Sequence, residues 1–297
     1  MANPVYRLSM PASSRPAAPT KDSIVVLASG LTEDDEGDLI TSNIAFVNML
    51  FEEHLTRDEI ARDALRSHHV DYFLAEYENG GFSQFVYNTR WDKDIVTDVR
   101  EGLKAMGAKR YLAAFEKAAK LLDKVPREKL EAYLDGGYFH EEDAEDEPED
   151  PIDWEAVDKA INKAGESEDI FDLHVAWLRK HPQLFPMNSE EEMAEEARRR
   201  GAALPDRAQR IAKAAANEPR YLKLIRALCR EAGQELANLT AIDPRYEYEG
   251  EIVQAYHFIT NEGHHHMVEH DGEALMFRGH SKDEVCRIDA PPEELRH

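Results

Sequence analysis

Histidines are concentrated near the C-terminal end of the chain, at spacings that could support metal coordination. Six of them lie close to Glu269 and Asp271, namely His257, His264, His265, His266, His270 and His280. On a β-strand, His264 and His266 would share one face, and an antiparallel neighbour could bring His257 beside one of them. Two such histidines together with Asp271 would suit zinc or nickel. Because no HExxH or similar motif occurs, solvent-exposed polar histidines are the alternative interpretation.

Other catalytic signatures are absent from the sequence. It has no phosphate-binding loop and no dinucleotide fingerprint. Its two cysteines, Cys229 and Cys286, are far apart in the sequence, and Cys229 shares a helical face with Leu222 and Ile225, which favours a buried thiol. We therefore predict no catalytic residues and no bound cofactor. A metal-dependent enzyme or metal-binding protein that uses the histidine-rich segment is the alternative.

Acidic residues dominate the charge of the chain. Its 297 residues include 60 Asp and Glu against 36 Lys and Arg, a formal net charge of −24. Such a surface repels nucleic acids and anionic membranes, so direct binding to either is excluded as a function class. The acidic side chains form two groups in the sequence. The first group is Glu33, Asp34, Asp35, Glu36, Asp38, Glu52, Glu53, Asp58 and Glu59, and the second is Glu141, Glu142, Asp143, Glu145, Asp146, Glu147, Glu149 and Asp150.

Each acidic group has two interpretations. It is either a surface that binds a basic partner or a solvated stretch whose charge keeps the protein soluble. The second group lies in a run, residues 136–155, that contains no basic side chain. Such a run resists packing, so we expect an acidic insertion at 138–152 between two helices.

The remaining pattern predicts a mainly α protein with three parts. Residues 1–23 are rich in proline and small residues and are expected to form a flexible leader. Residues 24–186 are expected to form a helical domain, although strand and helix cannot be distinguished for 24–27. Residues 187–297 are expected to form a smaller α+β domain. The scarcity of cysteine and the absence of a signal peptide or membrane span favour a cytoplasmic location.

A glycine pair interrupts the helical pattern of the first domain. Asn79-Gly80-Gly81 ends one helical run, and Phe82 begins another, so the chain is expected to turn here. Gln84 and Asn88 are spaced four residues apart on the second helix. We expect both amides to be hydrogen-bonded, most simply to backbone groups freed at the glycines.

The second domain combines helices with strands. Two helices are predicted over 206–217 and 219–232. Alternating residues then predict three strands over 252–260, 264–269 and 273–277, separated by the turn sequences Asn261-Glu262-Gly263 and Asp271-Gly272. The short turns predict an antiparallel three-stranded meander.

The glycine segment also carries a family resemblance. The motif formed by Asn79, Gly80, Gly81, Phe82, Gln84, Phe85 and Asn88, followed by a helix that ends at Met106-Gly107-Ala108, resembles the DNA mimic protein 19 family. Segments 130–139 and 170–185 also resemble this family, so the resemblance extends over about 40–186. Trp91 and Asp92 depart from its pattern, and 187–297 has no counterpart.

The resemblance implies a helical module whose carboxylates imitate the phosphates of duplex DNA. Such a module would occupy the DNA-binding face of a basic protein, for example a helix-turn-helix transcriptional regulator. The acidic residues of both groups are the expected contacts, and the glycine motif is expected to be structural. A homodimer and an acidic interaction protein without mimicry are the other possibilities that remain open.

Overall fold

The computed structural model describes residues 18–32, 35–135, 150–279, 281 and 283–290. The α-helices of these residues are α1 (Gly37–Glu52), α2 (Arg62–Thr89), α3 (Lys93–Met106), α4 (Lys109–Leu122), α5 (Arg127–Asp135), α6 (Trp154–Gly165), α7 (Ile170–Lys180), α8 (Glu190–Ala202), α9 (Arg207–Asn217) and α10 (Arg220–Glu231). The strands are β1 (Ile24–Leu27), β2 (Leu184–Met187), β3 (Leu236–Tyr248), β4 (Glu251–Thr260), β5 (Gly263–His270), β6 (Glu273–Arg278) and β7 (Glu284–Asp289). This composition confirms the mainly α class. None of the helices described is long and apolar enough to cross a membrane.

The chain divides into two compact units, one up to Arg207 and one from Ala208 onward. This division differs from the predicted boundary at 186/187. Strand β2 pairs in parallel with β1, and α8 packs against α1 and β2. The residues just after 186 therefore belong to the first unit. Sequence periodicity could not reveal this, because β1 and β2 are distant in the chain.

Two hydrophobic clusters stabilise the first unit. One is centred on aromatic rings of α2 and α4, and Phe73, Phe82, Phe85 and Phe115 are all fully buried there. The Phe73 and Phe115 rings meet edge to face with centroids 5.2 Å apart, a favourable aromatic geometry. The other cluster joins β1 to α1, α7 and α8. The Trp91 ring, which departs from the family pattern, packs against Phe82 and Phe115 within the first cluster.

The predicted turn at the glycine pair is confirmed as a kink inside α2. Gly80 and Gly81 both have non-helical backbone angles, and Gly81 has φ +77° and ψ −176°. This combination is accessible essentially only to glycine. After the kink, Phe82 and Phe85 of α2 lie in the aromatic core.

The second unit contains an antiparallel sheet in the order β3-β4-β5-β6-β7. Strands β4, β5 and β6 correspond to the three predicted strands, and β3 and β7 extend the meander to five. One face packs on α10 through residues such as Leu228, Phe258 and Met267. On the other face the Tyr248 and Phe277 rings approach to 5.5 Å, although β3 and β6 are not neighbours, so the sheet is strongly curled.

Candidate partner-binding surface

The glycine motif is anchored by a carboxylate that the sequence did not reveal. Asp158 of α6 accepts a hydrogen bond from the Phe82 backbone N–H at 2.9 Å, and its other carboxylate oxygen lies against Gly81. The Tyr77 hydroxyl donates to the Asp158 carbonyl at 3.0 Å. The kink therefore needs glycine for both its backbone angle and its space, and Asp158 satisfies an N–H that the kink frees from helical bonding.

The prediction that Gln84 and Asn88 bind backbone groups is wrong. Both side-chain amides donate to one oxygen of Glu76, at 2.7 and 2.6 Å. Glu76 lies before the kink and the two amides lie after it, so the carboxylate joins the two parts of α2. Backbone groups are not needed, because Asp158 already binds the amide at Phe82. In this geometry Gln84 and Asn88 stabilise the kinked helix.

Four carboxylates of the first acidic group have partners within the protein. Glu36 pairs with Arg179 at 2.6 Å, and Glu53 pairs with Arg207 at 2.8 Å. Asp38 accepts a hydrogen bond from Ser29, and Glu59 forms a capping box with Thr56. These interactions stabilise loops and helix ends of the first unit. The charges of Glu36 and Glu53 are compensated by arginines, whereas Asp38 and Glu59 bind neutral groups.

The other predicted acidic residues divide between exposed positions and positions outside the described residues. Asp35, Glu52 and Asp58 are exposed, and no ion pair joins them to another described residue. Asp150 accepts a hydrogen bond from the Trp154 indole at 2.9 Å. The positions outside the described residues are Glu33, Asp34, Glu141, Glu142, Asp143, Glu145, Asp146, Glu147 and Glu149.

A third acidic surface, the Tyr111 patch, was not predicted. It is formed by carboxylates from α2 and the α6–α7 connection around the half-buried Tyr111, and its members are Glu78, Glu168 and Asp169. Burial and then the charges of Glu78, Asp169 and Glu168 raise the pKa of Tyr111. Burial and then the charge of Glu78 raise the pKa of Asp71. Nearby carboxylates contribute to both shifts, so the local potential is negative.

Backbone donors fix two members of the Tyr111 patch. Glu168 accepts hydrogen bonds from the N–H groups of Arg110 and Tyr111, at 2.9 and 3.1 Å, at the start of α4. Asp169 is the N-cap of α7 and accepts from the Asp172 N–H at 3.1 Å. Helix N-termini attract such carboxylates. The sequence signal was only the short Glu168-Asp169 pair, because Glu78 is far from it in the chain.

The predicted metal residues share one sheet but are not all together. His257 and His264 lie side by side, with Nδ1 and Nε2 3.3 Å apart. The ring of His266 uses both nitrogens, one towards the Gly279 carbonyl and one towards the Tyr246 hydroxyl. Asp271 lies at the β5–β6 turn, beside His270. No group of three potential ligands that could hold a metal occurs in the described part of the chain.

The remaining histidines and the cysteines have separate environments. His265 faces the opposite side of the sheet, where its ring stacks on Phe258, and His280 lies outside the described residues. Both cysteines are free thiols, and burial raises the pKa of each. A raised pKa reduces thiolate formation. The prediction that Cys229 is buried is confirmed.

Comparison with known proteins gave one match. Neither the curated proteins nor the solved structures with which the chain was compared matched it. Residues 58–181 match the family described as DMP19-like protein. This segment contains the glycine motif, the aromatic core of α2 and α4, and the whole Tyr111 patch. The match confirms the resemblance seen in the sequence and identifies residues 58–181 as a DMP19-like segment.

Proposed function

We propose that this protein binds, through acidic surfaces of its first unit, to the DNA-binding face of a basic nucleic-acid-binding protein such as a helix-turn-helix transcriptional regulator. The observation that carries the proposal is the DMP19-like match over 58–181, a segment that presents an ordered acidic surface. The proposed function is binding without chemistry.

The Tyr111 patch suits this function because its carboxylates are ordered before binding. Glu168 and Asp169 are held by backbone N–H groups, so little side-chain entropy is lost when a partner docks. Arginine and lysine side chains that contact DNA phosphates can contact carboxylates in the same way. Tyr111 adds an aromatic ring among the charges, a residue type enriched in protein interfaces.

The charge of the whole chain supports the same function. A net charge of −24 attracts a basic protein over a distance and repels competing nucleic acid. Attraction of this type raises the association rate more than the final affinity, and it is screened by salt. Binding to the partner should therefore weaken steeply as the salt concentration rises.

The experiment is a pull-down from host lysate with the full-length protein, in which bound proteins are eluted with duplex DNA. We expect a basic DNA-binding protein that duplex DNA releases, because both ligands would use the same surface. A partner that DNA does not release would instead favour an acidic interaction protein without mimicry. Recovery of no basic partner at low salt would contradict the proposal.

Variants that each remove charge from one place then show which surface of this protein binds the recovered partner. The variant Glu78→Gln removes one exposed charge of the Tyr111 patch while keeping both helix caps. We expect roughly fivefold weaker binding, since one exposed charge contact contributes up to about 1 kcal/mol. The control Glu249→Gln removes the same charge from the β3–β4 turn of the second unit. Equal losses in both variants would show a non-specific effect of net charge.

The acidic run 141–150 is tested by the same assay. Substitution of Glu141, Glu142, Asp143, Glu145, Asp146 and Glu147 by serine should weaken binding if this run contacts the partner, while stability stays nearly unchanged. Unaltered binding would exclude the run and leave the ordered surfaces of the first unit.

A further inference from the structure

We propose that His257 and His264 form a binding site for a divalent transition metal in the second unit, independently of the acidic surfaces. The two residues lie on adjacent antiparallel strands, β4 and β5. His257 is opposite His266, and His264 is opposite Ile259, so the three histidines point to the same side of the sheet. Residues at such diagonal positions are within reach of each other.

The distance between the two rings fits a shared metal. Nδ1 of His257 and Nε2 of His264 are 3.3 Å apart. Two imidazole nitrogens bound to one tetrahedral zinc at about 2.0–2.1 Å are separated by about 3.3–3.4 Å. The observed distance is longer than the usual N–H···O distance of about 2.9–3.0 Å. A metal could therefore replace the His–His hydrogen bond with little movement of either nitrogen.

The orientation of the rings agrees with the distance. Their centroids are 5.3 Å apart and their planes differ by 14°. A metal–nitrogen bond points away from the ring centre, so two imidazoles on a tetrahedral ion have centroids about 5.2 Å apart. Two rings that pointed straight at each other across 3.3 Å would have centroids about 5.7 Å apart, if each nitrogen lies about 1.2 Å from its ring centre. The observed centroid distance is shorter than this value and is compatible with a shared tetrahedral ion.

The neighbouring contacts hold the pair in this geometry. The Gly279 N–H donates to the His264 carbonyl at 2.7 Å, which fixes the start of β5. Beside the pair, His266 is fully buried and its Nδ1 lies 2.7 Å from the Gly279 carbonyl. Since a carbonyl only accepts, Nδ1 of His266 carries the proton, and its Nε2 accepts from the Tyr246 hydroxyl at 2.9 Å. The His266 ring is therefore held in one orientation next to the pair.

The two imidazole nitrogens indicate which metals the site would bind. Neutral imidazole suits zinc, nickel and copper, whereas magnesium and calcium prefer oxygen. A competing possibility is the group at His270, whose Nε2 is 3.6 Å from both Glu249 and Asp271. That group offers mainly carboxylate oxygens and lies at the opposite end of β5.

The test is calorimetric titration of the untagged full-length protein with zinc chloride and, separately, magnesium chloride. We expect one zinc site per chain and no magnesium binding. His257→Gln and His264→Gln should each weaken zinc binding by at least about tenfold, because loss of a ligand costs no less than loss of its support. His270→Gln is the matched control and should bind zinc like the wild type. Normal zinc binding in both pair variants, or its loss in His270→Gln alone, would overturn the proposal.

A second measurement covers the case in which the pair variants do not fold. In the wild-type protein, NMR of the imidazole groups with added zinc should shift the ring signals of His257 and His264 first. His54 and His68, which lie in the first unit, should keep their signals. If zinc leaves the His257 and His264 rings unchanged at saturation, the pair does not bind metal.

Discussion

At the scale of single residues, some carboxylates of this acidic chain stabilise the fold and others are exposed to solvent. Asp158 stabilises a backbone kink, and Glu76 joins two parts of a helix. The buried Glu196 pairs with Arg199 and Arg200. Such groups are compensated inside the protein and contribute little to a partner surface. The net charge therefore overstates the charge available for binding, and the available part is on exposed residues such as Glu78.

Gly81 gives the first prediction, since its conformation and its surroundings both require glycine. A Cβ at this position would lie 2.7 Å from the Asp158 carboxylate, and the backbone has φ +77°. We expect Gly81→Ala to lower the free energy of unfolding by about 3 kcal/mol, because an unfavourable backbone conformation costs about 1–3 kcal/mol and the clash adds to it. Urea unfolding, followed by tryptophan fluorescence, measures the change.

Gly37→Ala is the matched control for Gly81. Gly37 begins α1, and a Cβ there would meet nothing within 4 Å. The stability should stay the same or rise slightly, since alanine favours helix. If Gly81→Ala unfolds at the same urea concentration as Gly37→Ala, the kink does not depend on glycine.

The residue types of the candidate surface could be predicted from the sequence, but their pairing could not. The Glu33–Glu59 group was recognised by its density in the chain. Its ion pairs, Glu36 with Arg179 and Glu53 with Arg207, connect residues more than a hundred positions apart. The Tyr111 patch was missed for the same reason, because Glu78 and Glu168 come close to Tyr111 only after α2, α4 and α6 have packed.

At the scale of secondary-structure elements, a buried polar pair connects α7 to α2. The His174 Nε2 and the Ser67 hydroxyl are 2.7 Å apart, and both side chains are almost completely buried. Burial lowers the pKa of His174 from its ordinary value of 6.5 to about 3. The folded protein therefore keeps this ring neutral at pH values where the unfolded chain would protonate it.

This pair predicts a specific pH dependence of stability. Because the pKa of folded His174 is depressed, its stabilising effect is complete above pH 6.5 and is lost as the pH falls towards 3. His68, whose pKa burial lowers to about 4, acts in the same direction. Between pH 6 and 4.5, His174→Gln should reduce the slope of unfolding free energy against pH by roughly 1 kcal/mol per unit. Urea titrations at each pH measure this slope, and parallel curves for the variant and wild type would contradict the assignment.

Some strands could be predicted from the sequence and others could not. Strands β4, β5 and β6 were recognised because glycine turns separate them and their residues alternate. Strand β3 was missed because its pairing with β4 has three register shifts and it contains Pro244, which disrupt alternation. The strand identity of Ile24–Leu27 depended on pairing with β2, about 160 residues away in the sequence. Local pattern cannot supply such a pairing.

At the scale of the whole molecule, the two units have separate hydrophobic cores and separate natural probes. The three tryptophans, Trp91, Trp154 and Trp177, are all in the first unit, and the only two cysteines are both in the second. Tryptophan fluorescence therefore reports unfolding of the first unit. Reaction of the buried Cys229 with a thiol reagent reports opening of the second.

These probes allow a prediction about how the units unfold. Leu228→Ala removes a fully buried side chain between α10 and the sheet, and we expect it to destabilise the second unit by about 2–5 kcal/mol. Phe115→Ala should destabilise the first unit by about 3–5 kcal/mol, since its ring fills the aromatic cluster. In urea, Leu228→Ala should shift the unfolding curve measured by thiol reaction and leave the curve measured by tryptophan fluorescence in place. Phe115→Ala should do the opposite.

Each unit would then have its own stability, and a metal bound at His257 and His264 would stabilise the second unit alone. If either variant moves both curves equally, the units unfold as one, and metal binding in the second unit would also stabilise the acidic surfaces of the first.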